Sequence, residues 1–101
     1  MSSINVVETA ARMSTAWSSY SLATVGAACV KVLRMDGSPV QEEVHRADEV
    51  LLVLDGRLEL LVEGIKVAVE TGEMYRVPAG ARHAVRPGSR GTLVIVEEPG
   101  A

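Results

Sequence analysis

The chain has 101 residues, a length typical of one domain, and 48% of them are apolar, which excludes a disordered chain. Its formal net charge of −3 offers no basic surface for nucleic acid or for an anionic membrane. No run of about 20 apolar residues is present, so no segment is predicted to span a bilayer. The N-terminus lacks the basic start and apolar centre of a signal peptide, so we expect a cytoplasmic protein.

The predicted elements begin with an N-terminal arm of about residues 1–17. Within it, residues 4–13 favour one or two helical turns, although Thr9 weakens the apolar pattern. Short strands follow, separated by glycine, proline or acidic turn residues, over 18–25, 27–35, 40–45, 49–54, 58–62, 65–69, 74–77, 84–86 and 92–96. The dipeptide Asp55-Gly56 is predicted to be a tight hairpin turn. Strands that recur about every 8 to 10 residues favour an antiparallel sandwich or barrel over a βαβ sheet.

Two histidines and several carboxylates stand out against this background. Glu43 and His45 share one face of a predicted strand, because side chains two residues apart point the same way. Glu49 begins the next strand, and His83 follows a turn at Pro78. A barrel can bring such groups together as metal ligands, but acidic residues near a turn are also commonly solvated. From spacing alone, both interpretations stay open.

The spacing resembles the first sequence motif of the cupins. That motif is a glycine, five residues, a histidine, one residue, a histidine, three or four residues, a glutamate, six residues and a glycine. The corresponding residues here are Gly37, Glu43, His45, Glu49 and Gly56. Only Glu43 departs from the motif, since it stands where the first histidine is expected.

The second cupin motif is matched in the same way. It runs glycine, five residues, proline, one residue, glycine, two residues, histidine, three residues and asparagine. Gly72, Pro78, Gly80 and His83 fit it, and Pro87 replaces the asparagine. Motif 1 (37–56) and motif 2 (72–87) are separated by a short stretch, as in the small single-domain "cupin 2" proteins, many of which have no assigned reaction.

The resemblance implies an all-β fold, with residues 1–101 forming a single cupin domain. The expected architecture is a jelly-roll β-barrel with a short N-terminal helical or irregular segment. In the family, the motif histidines and glutamate hold one divalent metal ion. Carried over, the ligand positions are Glu43, His45, Glu49 and His83. Mn, Fe, Ni and Zn are the candidate ions.

The glutamate at position 43 leaves three alternatives for the site. If Glu43 points inward, two imidazoles and two carboxylates surround the metal, and the two negative charges offset its +2 charge. Oxygen ligands of this kind suit harder ions such as Mn²⁺. If Glu43 points away, His45, His83 and Glu49 form a two-histidine, one-carboxylate set that suits non-haem Fe²⁺. In the third alternative the site has degenerated and binds metal weakly or not at all.

Strand alternation also predicts which side chains line the barrel cavity. Leu51 and Val53 share the parity of Glu49, and Val85 shares that of His83. Tyr75 and Arg76 are further candidates, with a core position for Tyr75 and a solvated outer position for Arg76 as the alternatives. Because the chain has no Phe and only one Trp, we expect a small ligand.

Three functions are compatible with these features. The first is a metal-dependent enzyme of unassigned reaction that acts on a small molecule. The second is a non-catalytic cupin that binds a small molecule, and the third is a scaffold with a degenerate metal site. The resemblance also implies a homodimer, because small jelly rolls leave edge strands that need covering.

Overall fold

The structure, a computed structural model, describes residues 3–99. One short helix precedes eight strands, which are α1 Val6–Ala11, β1 Tyr20–Val25, β2 Ala28–Asp36, β3 Val40–Glu43, β4 Glu49–Val62, β5 Ile65–Glu70, β6 Met74–Val77, β7 His83–Val85 and β8 Arg90–Glu97. The predicted all-β fold with a short N-terminal helix is confirmed. In the part of the chain that the structure describes, no helix is both long and apolar enough to cross a bilayer.

All strand pairs are antiparallel, and the sheet curls around a single long strand. The order is β1-β2-β8-β4-β7-β3, with β5 and β6 paired to β4 as well. The first half of β4 pairs with β6 and β8, whereas its second half pairs with β5 and β7. As a result β4 belongs to both walls of the barrel.

The prediction of a hairpin turn at Asp55-Gly56 is wrong, because β4 runs unbroken through this point. The buried side chains of β4 switch parity here, from Glu49, Leu51 and Val53 to Leu58, Leu60 and Val62. The pairing with β8 also shifts register between Val53 and Asp55. A bulge of this kind bends a strand without ending it. Sequence pattern alone does not distinguish the two outcomes, since both place Asp-Gly between apolar runs.

The bend is tight because two backbones almost touch there. Gly56 lies opposite Gly91 of β8. A Cβ atom on Gly56 would lie 1.9 Å from the Arg90 carbonyl oxygen, and one on Gly91 would lie 2.0 Å from the Asp55 carbonyl oxygen. Both glycines also have positive φ, at 90° and 111°. Only glycine meets both demands.

The core fills the space between the two walls. Its buried members are Leu33, Met35, Leu51, Val53, Leu58, Leu60, Val62, Val69, Val77 and Leu93. A second cluster lies on the outer side of β2 and β8, where Ala10 of α1 covers Val32 and Val94. α1 begins after Asn5, whose side-chain oxygen accepts a hydrogen bond from the Glu8 N–H at 2.9 Å. The N-terminal helix therefore closes one face of the sheet and leaves the barrel interior to the strands.

Candidate metal centre

The register between β3 and β7 brings the two sequence motifs together. Glu43, the last residue of β3, lies directly opposite His83, the first residue of β7. His45 follows two residues after Glu43, and its carbonyl oxygen accepts a hydrogen bond from the Gly80 N–H at 2.9 Å. Residues that are about 40 positions apart in the sequence are thereby fixed at one end of the barrel.

Three side chains converge closely enough to share a metal ion. Glu43, His45 and His83 each offer one ligand atom, and these atoms all lie within 4.8 Å of one another. The His45 and His83 ring centroids are 5.2 Å apart, and His45 Nε2 is 3.0 Å from Glu43 Oε2. Exposure increases outward, from 8% for the His83 side chain to 26% for His45 and 49% for Glu43. The group therefore lies at the mouth of the interior, with Glu43 on the solvent side.

The orientation of His83 suits a metal ligand. Its Nδ1 atom is 3.0 Å from the Ala81 carbonyl oxygen. A carbonyl only accepts, so Nδ1 is the donor, and the neutral imidazole in this orientation has its lone pair on Nε2. Metal-binding histidines are commonly held in this way by a second hydrogen bond. Together with a carboxylate and a second imidazole, this donor set fits a divalent metal such as Fe, Ni, Zn or Mn.

Glu49 lies next to this group but is engaged elsewhere. Its Oε1 atom is 3.5 Å from His83 Nε2, and it lies outside the set of three convergent residues. Burial, and then a hydrogen bond shared with Glu97, raise the pKa of Glu49 to about 8. Glu97 is in turn paired with Lys31, whose Nζ is 2.9 Å from Glu97 Oε2. At neutral pH Glu49 is thus a neutral acid that donates to the Glu97 carboxylate.

Glu97 carries the charge of this carboxyl pair. Burial opposes its ionisation, but the hydrogen bonds from Glu49 and Lys31 outweigh burial and lower its pKa. The hydrogen bond from Lys31 is also the main reason that the pKa of Lys31 is raised. The polar end of the barrel therefore contains one neutral carboxyl and one ion pair, whose two side chains are each 24% exposed. The four predicted ligand positions are brought into one region, in which Glu43 lies 3.0 Å from His45 and Glu49 lies 3.5 Å from His83.

A family model described as "Cupin domain" matches residues 32–97, which is more than half of the chain. The chain belongs to the cupin family. None of the curated proteins matches this cupin.

Solved structures share its fold at low sequence identity. A cupin-2 domain containing protein from Shewanella frigidimarina NCIMB 400 is 24% identical and has a TM-score of 0.85, with 94% of this chain and 93% of that chain covered. Protein NMB1881 from Neisseria meningitidis is 21% identical with a TM-score of 0.80, covering 96% of this chain and 99% of that one. KdgF from Halomonas sp. is 19% identical with a TM-score of 0.71, covering 82% and 78%. These likenesses establish the fold of this cupin.

A cavity of about 120 Å³ adjoins the candidate centre. Glu43, Glu49 and His83 contribute to its wall, as do the predicted lining residues Leu51 and Val85. Most of the remaining wall is aliphatic and comes from both halves of the barrel. The cavity thus joins an apolar interior to the polar end that carries the possible ligands.

The structure places the other three predicted lining residues away from this cavity. Val53 points inward but is packed into the core with no exposed surface. Tyr75 is half-buried and packs against the same core. Arg76 is exposed and forms an ion pair with Asp48. The alternation of β6 explains this, because Val77 is buried and its neighbour Arg76 must face outward.

Sequence reasoning missed three residues of the region. Trp17 lines the cavity although it lies outside both motifs. Lys31 and Glu97 form the ion pair beside Glu49; Lys31 lies within β2, and Glu97 is the last residue of β8. The charge of Lys31, which lies between Val30 and Val32 in a largely buried strand, was the available signal, since a buried charge needs a partner. The pairing of Lys31 with Glu97 depends on the β2–β8 register. In that register Cys29 lies opposite Glu97, and Lys31 follows Cys29 by two residues on the same face of β2.

Proposed function

We propose that this cupin binds one divalent metal ion through Glu43, His45 and His83 and acts on a small molecule in the adjoining cavity. The observation that carries the proposal is the convergence of the three ligand atoms within 4.8 Å beside that cavity. The fixed orientation of His83 supports it, because its lone pair is already directed away from Ala81.

The charges around the centre support a reactive rather than a purely structural ion. A ligand set of two imidazoles and the Glu43 carboxylate would leave one positive charge on a divalent ion. Three protein ligands also leave coordination positions open, as catalytic metal sites do. When bound, the ion would supply Lewis-acid or redox chemistry. Glu49 holds a proton at the cavity wall, and the Lys31–Glu97 ion pair fixes its carboxyl group in place.

A non-catalytic small-molecule-binding cupin is the second candidate. The observation that favours it is the hydrogen bond between Glu43 Oε2 and His45 Nε2 at 3.0 Å, which satisfies both side chains without a metal. In that case the apolar cavity would bind its ligand in the absence of any ion. The two candidates differ in one measurable quantity, the metal content of the protein.

The experiment is elemental analysis of tag-free protein purified without chelator, followed by calorimetric titration of the stripped protein with Mn²⁺, Fe²⁺, Ni²⁺ and Zn²⁺. We expect about one ion per chain, and an affinity at least about tenfold lower in Glu43→Gln and His83→Gln. Glu42→Gln is the matched control, since Glu42 is an exposed carboxylate on the same strand but on its other face. Equal metal content and affinity in all four proteins would refute the proposed site.

We also propose that this cupin forms a homodimer through β1. β1 stands at one end of the strand order, and no other strand of the described part of the chain pairs with its outer edge. Its side chains Tyr20 and Val25 are apolar or aromatic and are 58% and 70% exposed. Edge strands with exposed apolar residues are commonly covered by a partner.

A further inference from the structure

Trp17 is held against the barrel by its backbone and by its side chain. It lies between α1 and β1, and its N–H donates to the Arg34 carbonyl oxygen at 2.9 Å. The indole Nε1–H donates to Asp36 Oδ1, also at 2.9 Å. The preceding arm is fixed as well, since Arg34 Nε donates to the Met13 carbonyl oxygen at 3.1 Å. These contacts leave the indole little freedom to rotate.

The backbone of Trp17 adopts an unusual conformation to make these contacts. Its φ angle is 64°, in the left-handed region that bulky residues rarely enter. The acceptor Asp36 is well suited to the indole, because hydrogen bonds from the Ser38 backbone N–H, the Ser38 side chain and then Trp17 lower the pKa of Asp36. The sequence thus maintains a strained residue whose side chain forms part of the cavity wall.

Trp17 is anchored at the far end of the strand ladder from the candidate metal centre. Asp36 pairs with Arg90 at one end of the β2–β8 ladder, whereas Cys29 pairs with Glu97 at the other. Glu97 is the residue that contacts Glu49 beside the centre. The cavity is therefore bounded by the indole on one side and by the carboxyl and imidazole groups on the other.

The cavity wall defines the chemistry of a suitable ligand. Apart from its polar end, the wall is formed mainly by aliphatic side chains such as Leu33, Leu58, Leu93 and Ile95. Among the described residues that line it, none is Lys or Arg, so no lysine or arginine there would pair with a negatively charged ligand. Its volume of about 120 Å³ is close to that of a cavity that holds one benzene molecule, roughly 150 Å³.

We propose that the ligand is a compact aliphatic molecule of benzene size or smaller with one oxygen head group, and that Trp17 sets its upper size limit. The oxygen head group faces Glu43, Glu49 and His83, and the hydrocarbon body contacts the leucines and the indole. This proposal rests on the proposed function, because it takes the cavity to be the ligand site.

Fluorescence tests the proposal, since Trp17 is the only tryptophan of the chain. Cyclopentanol, added at millimolar concentration, is expected to shift the Trp17 emission in a saturable way. Decahydro-2-naphthol, which is nearly twice as large, is expected to cause no saturable shift. If cyclopentanol leaves the emission unchanged up to its solubility limit, the ligand class is refuted.

Substitution then tests the size limit by calorimetry. Trp17→Ala is expected to bind decahydro-2-naphthol at least tenfold more tightly than the wild type, while Trp17→Phe keeps the wild-type preference. Met74→Ala is the control, because Met74 is a large exposed side chain that lines neither the cavity nor the proposed dimer interface. An unchanged size preference in Trp17→Ala would overturn the proposal. If circular dichroism shows that Trp17→Ala is unfolded, the variant Trp17→Leu is used in its place.

Metal content, measured on the same samples, separates this proposal from the proposed function. Cyclopentanol binding by protein that contains no metal and takes up none of the four ions on titration would refute the metal centre and retain the ligand class and the role of Trp17. A full complement of metal without cyclopentanol binding would refute the ligand class and retain the metal centre.

Discussion

Replacing Gly56 by alanine is expected to destabilise the barrel much more than the same change at Gly72. The two glycines have nearly equal backbone angles, with φ of 90° and 85°. Each substitution therefore costs roughly 1–2 kcal/mol for a left-handed conformation. Only at Gly56 does the new methyl group collide with backbone, because its Cβ would lie 1.9 Å from the Arg90 carbonyl oxygen. Nothing lies within 4 Å of a Cβ at Gly72.

The collision adds roughly 1–3 kcal/mol of overpacking to the cost at Gly56. With a urea m-value of about 2 kcal/mol per M, Gly56→Ala should unfold at a urea concentration about 0.5–1.5 M below that of Gly72→Ala. Both variants are compared without metal and at equal protein concentration, since bound ligands and partners add stability. Equal midpoints for the two variants would show that the crossing of β4 and β8 does not restrict residue size.

Three further changes test other parts of the structure. Ser89→Ala removes a buried hydroxyl group that accepts a hydrogen bond from a backbone N–H of β4. It should lower the free energy of unfolding in urea by about 1–3 kcal/mol. Ser18→Ala, at an exposed serine, should leave that free energy almost unchanged. The raised pKa of Glu49, about 8, means that the folded state keeps a proton that the unfolded state loses above about pH 4.5. The metal-free protein should therefore lose stability as pH rises from 5 to 8, which urea midpoints measured across this range would show. In Glu49→Gln the urea midpoint should fall less steeply with pH. An equally steep fall in Glu49→Gln would assign the proton to another group. Val25→Lys on the edge of β1 should weaken the proposed homodimer, as measured by sedimentation equilibrium. Ile65→Lys on β5 is the control, because Ile65 is about as exposed as Val25, and it should leave the homodimer intact. The reverse result would place the interface elsewhere.

Most of the strands could be predicted because their alternation and turn residues are local features. The prediction for 74–77 agrees with β6 at both ends, and most other strands shift by one or two residues. The hairpin at Asp55-Gly56 failed for a non-local reason. Whether such a dipeptide ends a strand or bends it depends on β8, which lies more than 30 residues away in the sequence.

The candidate site could be predicted as a set of residues but not as an arrangement. The motif spacing singled out Glu43, His45, Glu49 and His83, and three of these converge. The sequence did not indicate that Glu49 would form a hydrogen bond with Glu97, because their proximity depends on the pairing of β8 with the first half of β4. The homodimer and the cytoplasmic location stay predictions.

The position of β8 in the sheet has a consequence for how the protein is made. β8 is the last strand among residues 3–99, yet it lies between β2 and β4 and joins them. A nascent chain that lacks β8 cannot close the barrel, and its apolar strands stay exposed during synthesis. Because such long-range pairings form slowly, folding should be completed only after translation has passed β8.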